Sequence, residues 1–195
     1  MKKVKIFFSI LLITSIYNNI CYSAPQAYNG PSEFSLKITH NIDNASFFWA
    51  YDGRYFRRWK LGTDFSIGTL FDLKERHYIL FNSTENTYSY YPFFWSFGKD
   101  SKYLQPFALF NPSRIIVYLG EKFINNVSCY KYCVKATPCQ TLLIWISVKN
   151  GDIVKISDEK EQKIITCQPI TFKDMKQIFE IPMKYRYIQN LNYRE

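Results

Sequence analysis

Two histidines are the side chains in this chain that could exchange protons near neutral pH. His40 and His77 belong to no H-E-x-x-H pair, nucleophile elbow or other two-histidine metal spacing. Among the carboxylates, three fall within residues 158–161, but a lysine lies among them and the alternating aspartates of a calcium loop are missing. The sequence therefore predicts a solvated turn there, and a protein that is not an enzyme and uses no metal or cofactor.

Cysteine thiols are the remaining candidates for chemistry, and the chain has five of them. Cys129, Cys133, Cys139 and Cys167 are separated by three, five and 27 residues, a spacing without the paired knuckles of a zinc site. If Cys21 is removed with an N-terminal leader, four cysteines remain, and an even number in an exported chain is typical of disulfides. Cysteine catalysis would instead need a free thiolate. Four cysteines allow three pairings. The short connection 134–138 favours Cys133–Cys139, which leaves Cys129–Cys167 as the second predicted bond.

The N-terminus predicts the compartment. Three lysines within the first five residues precede the apolar run 6–13, which is typical of a secretory signal and too short to span a bilayer. Small residues before Ala24 favour cleavage at that point. Cleavage after Ser15 is the alternative and would keep Cys21 in the mature chain.

The predicted organisation is a signal peptide, 1–23, followed by a single domain, 24–195. Loss of the three leader lysines lowers the net charge from +9 to +6. The remaining cations are dispersed, apart from Arg54, Arg57 and Arg58, so we expect no nucleic-acid partner. No later apolar run is long enough for stable membrane insertion. The expected location is secreted and extracellular, or periplasmic if the source is bacterial.

The body of the domain alternates between apolar and polar residues with a period of two. Segments such as "EFSLKI" and "FFWAY" place their apolar residues on one face. Runs of this kind, rich in aromatic and β-branched residues and separated by short turns, predict antiparallel strands joined by hairpins. Asn125 and Asn126 stand between two such runs, and asparagine tolerates the left-handed backbone of a tight hairpin.

Residues 93–113 break the alternation and contain Pro106 and Pro112. A short helix over 102–110 with a loop fits this segment best. It is the one substantial element left to cover a face of the sheet. We therefore predict an α+β, mostly β fold, in which a short helical insert covers the concave face of a curved antiparallel sheet. Aromatic residues make up 19% of the chain, so the sheet encloses either an apolar cavity or a solid aromatic core.

Three N-x-S/T sequons begin at Asn44, Asn82 and Asn126, in predicted turns or strand edges. We expect glycans there if the source is eukaryotic. The alternative is chance, because a chain rich in asparagine and serine produces such triplets freely.

The chain carries several short motifs in a fixed order, beginning with the stretch Cys21-x-x-Ala24-Pro25-Gln26-x-Tyr28-x-Gly30. The later motifs are the segments 49–59, 70–93, 118–132, 145–156 and 178–185. The first stretch resembles the N-terminal signature of ependymin-related secreted proteins, and the later segments resemble the strands of that family in the same order. Tyr88 and Tyr185 stand where that family has cysteines.

This resemblance implies a half-open barrel like that of the bacterial LolA and LppX lipoprotein carriers, with helices around an apolar pocket. It also implies that Cys21 belongs to the mature fold. We accordingly expect a secreted, non-enzymatic binding protein that carries a lipid or other hydrophobic small molecule. The alternatives are an extracellular matrix or adhesive glycoprotein without a functional pocket, which could be a homodimer, and a bacterial periplasmic LolA-like carrier.

The candidate ligand-lining residues are aromatic and aliphatic side chains that would share the concave side of the sheet. They are Phe47, Trp49, Tyr51, Phe65, Ile67, Trp95 and Trp145.

Overall fold

The computed structural model describes residues 28–63, 68–96 and 101–189, so the predicted signal peptide and Cys21 lie outside the described residues. Within these ranges the chain forms strands and two short helices, α1 (Phe107–Phe110) and α2 (Met175–Phe179). The strands are β1 (Phe34–His40), β2 (Ser46–Tyr51), β3 (Tyr55–Lys60), β4 (Thr69–Asp72), β5 (His77–Asn82), β6 (Thr87–Pro92), β7 (Ile115–Ile124), β8 (Val127–Lys135), β9 (Leu142–Ser147), β10 (Ile153–Asp158), β11 (Ile164–Pro169) and β12 (Arg186–Tyr187).

These strands form one sheet in the order β12-β6-β5-β4-β3-β2-β1-β11-β10-β9-β8-β7. Most neighbours in the sheet are also neighbours in sequence and pair antiparallel, because short turns join them. The pairing of β1 with β11 joins the two halves of the chain, and β12 pairs parallel with β6. The sheet is therefore mixed rather than wholly antiparallel. The predicted class, a mostly β fold with one open curved sheet and a short helical insert, is confirmed.

The hairpin between β7 and β8 has the predicted two-residue turn. Ile124 pairs with Val127, and the residues between them, Asn125 and Asn126, have φ values of 48° and 65°. Two consecutive left-handed residues are what a type I′ hairpin turn requires. The local sequence therefore determines this part of the fold.

One face of the sheet, here called the inner face, carries Trp49, Phe56 and Phe71 and the largest hydrophobic core. It is packed against residues 93–96 and 101–113, the inner cover. All four residues of α1 are buried in this contact. The inner face is therefore filled mainly by aromatic rings of the strands and of the inner cover.

Helix α1 is shorter than the helix predicted over 102–110. It begins only at Phe107, directly after Pro106. A proline disfavours helical backbone at the residue before it, in this case Gln105. The inner cover is consequently an irregular segment that ends in one helical turn.

The opposite, outer face is covered over β2–β6 by residues 172–185, the outer cover, which includes α2. Arg57 is fully buried beneath it. Its Nη1 donates hydrogen bonds to the carbonyl oxygens of Ile178 (2.6 Å) and Glu180 (3.2 Å). The expectation of a single covering element was therefore wrong, because a second segment covers the other side of the sheet.

Neither predicted disulfide is formed, and the four cysteines of the described ranges are free thiols. Cys129 on β8 and Cys167 on β11 are separated by β9 and β10, or about 14 Å at the usual strand spacing. A disulfide needs Cα atoms within about 7 Å. Cys133 packs on the outer face with Cys129, whereas Cys139 packs against the inner core, so the second pair is also divided by the sheet.

Candidate functional site

The residues predicted to line a pocket on β2 share the inner face, as the alternation indicated. Phe47, Trp49 and Tyr51 all belong to or pack against the inner core. Trp49, however, is only 1% exposed. Of the two alternatives, the solid aromatic core is the one found around this strand. Phe65 and Ile67, predicted for the same pocket, lie outside the described residues.

Trp145 lies on the outer face, so its prediction as an inner lining residue was wrong. Its ring is covered by the ammonium groups of Lys131 and Lys155, 4.8 and 4.2 Å from the ring centroid. Glu161 accepts a hydrogen bond of 2.9 Å from each lysine. Alternation places residues on two faces but does not tell which face of one strand matches that of a distant strand.

An open groove of about 410 Å³ remains at one end of the inner face, between the β2–β3 turn, the β4–β5 turn and the inner cover. We call it the rim groove. Its lining residues are Tyr51, Gly53, Arg54, Leu73, Lys74, Arg76, Trp95, Phe110 and Pro112. Two of the predicted lining residues, Tyr51 and Trp95, therefore meet here.

The floor of the rim groove is aromatic and firmly packed. The ring of Phe110 lies 4.5 Å from that of Tyr51, and Trp95 makes an edge contact with Phe93 at 5.2 Å. The Tyr51 hydroxyl donates to the carbonyl oxygen of Gly53 (3.0 Å), and the Cys139 thiol donates to the carbonyl oxygen of Trp95 (3.1 Å). These contacts hold an apolar surface in place at the edge of the core.

The wall of the groove is cationic. Arg54 is bound to the buried carboxylate of Asp72, with 2.6 Å between Nη2 and Oδ2. Burial raises the pKa of Asp72, but hydrogen bonds from Arg54 and from the amides of Glu75 and Lys74 outweigh it and lower the pKa overall. Lys74 and Arg76 are exposed and line the groove beside Arg54. The described residues that line the groove include no acidic side chain.

Lys74 and Arg76 were not among the residues predicted from the sequence. They stand in a four-residue turn, and lysine and arginine side chains on the surface usually only face solvent. Arg54, by contrast, was noted as part of an arginine cluster, which the structure divides. Arg54 lies at the groove, Arg57 under the outer cover, and Arg58 on the inner face, where it donates to Gln105 Oε1 (2.8 Å).

The candidate catalytic groups do not converge. His40 packs on the inner face against Tyr103, whereas His77 follows the outer-face pattern of β5 with Ile79. Asp158 accepts hydrogen bonds from the amides of Gln162 and Lys163, so the acidic run 158–161 is a turn. In the part of the chain that the structure describes, no three potential metal ligands lie together.

A second cavity, of about 530 Å³, lies between residues 28–36, 151–153 and 169–171. It contains none of the predicted lining residues, and its wall begins at the first described residue. The rim groove is therefore the better candidate site.

The three sequon asparagines, Asn44, Asn82 and Asn126, are all exposed and lie at turns or at a strand end. Asn44 and Asn126 have positive φ values. Their placement leaves room for a glycan, and occupancy stays a prediction.

Comparison with known proteins gives fold-level resemblances only. No family profile and no curated protein matches this sequence. An uncharacterized conserved protein from Thermus thermophilus is similar in structure, with a TM-score of 0.48 and 11% identity, over 83% of this chain and 93% of that one. A LolA superfamily protein from Nitrosomonas europaea has a TM-score of 0.38 and 12% identity, over 76% of this chain and 89% of that one.

Both TM-scores lie below 0.5, so neither likeness bears on the site, whose chemistry follows from the geometry of this chain alone. The ependymin-related resemblance finds no support in these comparisons. Within the described ranges, no helix has the length and apolar character needed to cross a membrane.

Proposed function

We propose that this chain is a secreted, non-enzymatic binding protein that carries a lipid or other hydrophobic small molecule in the rim groove. The observation that carries the proposal is the aromatic floor formed by Tyr51, Trp95 and Phe110, at the end of an inner face that is filled around Trp49. Ligand sites are typically concave and mostly apolar, with a few polar groups that fix orientation, and the volume of the groove lies within their range.

The packed inner face restricts how such a ligand binds. Trp49 and its neighbours already fill the space beneath the inner cover, so the ligand lies along the groove and not inside the sheet. A short or partly bound chain, rather than a fully enclosed one, is the form of ligand that this geometry favours. Part of the ligand then stays accessible, which suits a carrier that must release what it holds.

The non-enzymatic character of the proposal rests on the separation of the reactive groups. His40 and His77 lie on opposite faces, and the described lining of the groove contains no histidine, cysteine or carboxylate. Without a histidine, cysteine or carboxylate as nucleophile or base, the described lining of the groove favours binding over catalysis.

Ligand binding is tested on protein purified from its own source. Native mass spectrometry should show a co-purifying hydrophobic molecule, and a fluorescent fatty acid should bind after delipidation. Trp95→Ala should weaken that binding because it removes part of the groove floor. Phe94→Ala is the matched control, since Phe94 is the adjacent aromatic residue, is 67% exposed and does not line the groove. A clean apo mass with no fluorescence response would refute the carrier function.

Export is tested by the intact mass of the mature protein before and after deglycosylation and alkylation. If the leader is cleaved before Ala24 and the thiols are free, alkylation without a reductant should label four cysteines. If Cys21 is retained, the mass should show either a fifth alkylated cysteine or a disulfide that involves Cys21. Glycan loss on enzymatic treatment would report occupied sequons. An uncleaved N-terminus in the mature protein would contradict secretion through this leader.

One observation favours the second candidate, an adhesive or matrix glycoprotein. Strand β7 is ten residues long, lies at the edge of the sheet and exposes apolar side chains, with Ile115 64% and Phe123 74% exposed. An edge strand of this kind can pair with another protein. Val117→Lys should weaken association through β7 and leave fatty acid binding unchanged. Fatty acid binding should fall only when a residue that lines the rim groove is substituted.

A further inference from the structure

We propose that the rim groove selects amphiphiles with an anionic head, which Lys74 and Arg76 hold while the aromatic floor takes the apolar chain. This inference rests on the proposed function and names the chemical class of its ligand. The shared chemistry is a single negative head, a carboxylate or a phosphate monoester, on one alkyl chain.

The β4–β5 turn holds the two cations in place at the groove. The carboxylate of Asp72 accepts hydrogen bonds of 3.0 Å from the amides of Lys74 and Glu75. The carbonyl oxygen of Arg76 accepts one of 2.8 Å from the amide of Phe93, at the start of the inner cover. The backbone that carries both cations is thus fixed to the sheet on one side and to the inner cover on the other.

The charges of Lys74 and Arg76 are not compensated within the described ranges. The nearby acids are engaged elsewhere, since Asp72 binds Arg54 and Glu75 lies 4.0 Å from the same guanidinium. Neither Lys74 nor Arg76 takes part in an ion pair among the described residues. Two uncompensated cations beside an apolar surface attract an anion and raise its local concentration.

Arg54 has a different role from the other two cations. Its Nε and Nη2 both donate hydrogen bonds to Asp72, at 3.1 and 2.6 Å, so the carboxylate of Asp72 balances its charge. It therefore acts as a fixed part of the wall that keeps the β2–β3 turn next to the β4–β5 turn. Substituting Arg54 would disturb the groove itself, which makes Lys74 and Arg76 the informative positions.

The position of the charges relative to the floor defines the ligand. Tyr51, Trp95 and Phe110 give the groove an aromatic surface, and Lys74 and Arg76 line the same groove. A molecule that satisfies both must be apolar along its length and negative at one end. A neutral alcohol of the same chain length contacts the aromatic floor but gains no attraction from the cations. An amine of that length is protonated and is repelled by them.

Competition against a bound fluorescent fatty acid tests this selectivity with four C16 probes: palmitate, hexadecyl phosphate, hexadecanol and hexadecylamine. The wild-type protein should bind the two anions about tenfold or more tightly than hexadecanol, the gain expected of a hydrogen bond to a charged group. The double variant Lys74→Gln, Arg76→Gln should lose that gain and bind hexadecanol as before. Comparison of palmitate with hexadecyl phosphate identifies which anionic head is preferred.

A matched control removes two charges elsewhere. Lys149→Gln with Lys160→Gln changes two exposed lysines outside the groove and should leave the affinity for both anions unchanged. Equal wild-type affinity for palmitate and hexadecanol would overturn the anionic-head proposal and leave the carrier function standing. The proposal would also be overturned if the control variant lost as much affinity for the two anions as the Lys74→Gln, Arg76→Gln variant. If none of the four probes binds, the carrier function fails together with it.

Discussion

Acidification should weaken this fold through one buried histidine. His40 is 2% exposed, and its Nδ1 has no hydrogen-bond partner within the described ranges. Its ring lies 4.7 Å from that of Tyr103 and 5.7 Å from that of Phe47. Burial lowers the pKa of His40 from 6.5 to about 4, Asp43 opposes this change and Arg58 adds to it. The folded protein therefore keeps His40 neutral at pH values at which the unfolded chain protonates it.

The size of the effect follows from these pKa values. Above pH 6.5 both states hold His40 neutral, and the contribution to stability is fully present. As the pH falls below 6.5 the unfolded state binds the extra proton, so the free energy of unfolding drops until the folded state is protonated near pH 4. The loss attributable to His40 is about 2 kcal/mol between pH 7 and pH 5 and about 3 kcal/mol by pH 4.

Urea denaturation from pH 7.5 to pH 4 measures this contribution when the wild-type protein is compared with His40→Phe. The variant keeps a ring in the aromatic cluster but cannot bind a proton, so its stability should fall less with acidification by the amounts given above. His77→Phe removes a histidine from the other face and leaves the His40 contribution in place. Equal pH dependence in the wild-type protein and His40→Phe would refute the argument.

Three further substitutions test the covers and the sheet. Arg57→Met removes two hydrogen bonds to the outer cover, so it should lower the free energy of unfolding in urea by about 3 kcal/mol and make the outer cover more sensitive to proteolysis. The control Arg58→Met changes an arginine on the inner face and should leave the outer cover protected. Gly68→Ala places a Cβ against the carbonyl oxygen of Arg58 and should lower the free energy of unfolding by about 2 kcal/mol. An unchanged urea midpoint would show that the backbone shifts to make room for the Cβ. Hydrogen bonds from the two lysines over Trp145 lower the pKa of Glu161, so it stabilises the fold above pH 4.5 and loses that contribution as the pH falls. Glu161→Gln should therefore flatten the acid limb of the pH–stability curve, and an unaltered limb would contradict this.

The strands and their turns could be predicted from the sequence because their signals are local. Alternation gave the inner-face positions of Phe47, Trp49 and Tyr51, and paired asparagines gave the β7–β8 turn. The join between β1 and β11 could not be predicted in the same way, since it depends on pairing between residues more than a hundred positions apart. The sequence therefore predicts a series of hairpins but not the β1–β11 pairing that joins them into one sheet.

The site was less predictable than the fold because it depends on how separate segments meet. Trp95 was selected for its residue type, and the structure brings it to Tyr51 through the path of the inner cover. Lys74 and Arg76 carry no signal as turn residues, and they acquire a role only where the β4–β5 turn borders an aromatic floor. Trp145 has the same residue type as Trp95, but the strand parity of β9 places it on the other side of the sheet.

The unequal edges of the sheet limit what it can assemble. A head-to-tail stack would need β7 to pair with the opposite edge, where the described residues are the two of β12 and the last four of β6, which end at Pro92 without an N–H to donate. Two β7 strands related by a two-fold axis would instead present equal lengths of ten residues to each other, each with a bulge between Tyr118 and Gly120. Such an isologous contact uses the same patch on both copies and is complete after two. Association of two copies through this edge would therefore end with a closed pair and would not continue into a fibre.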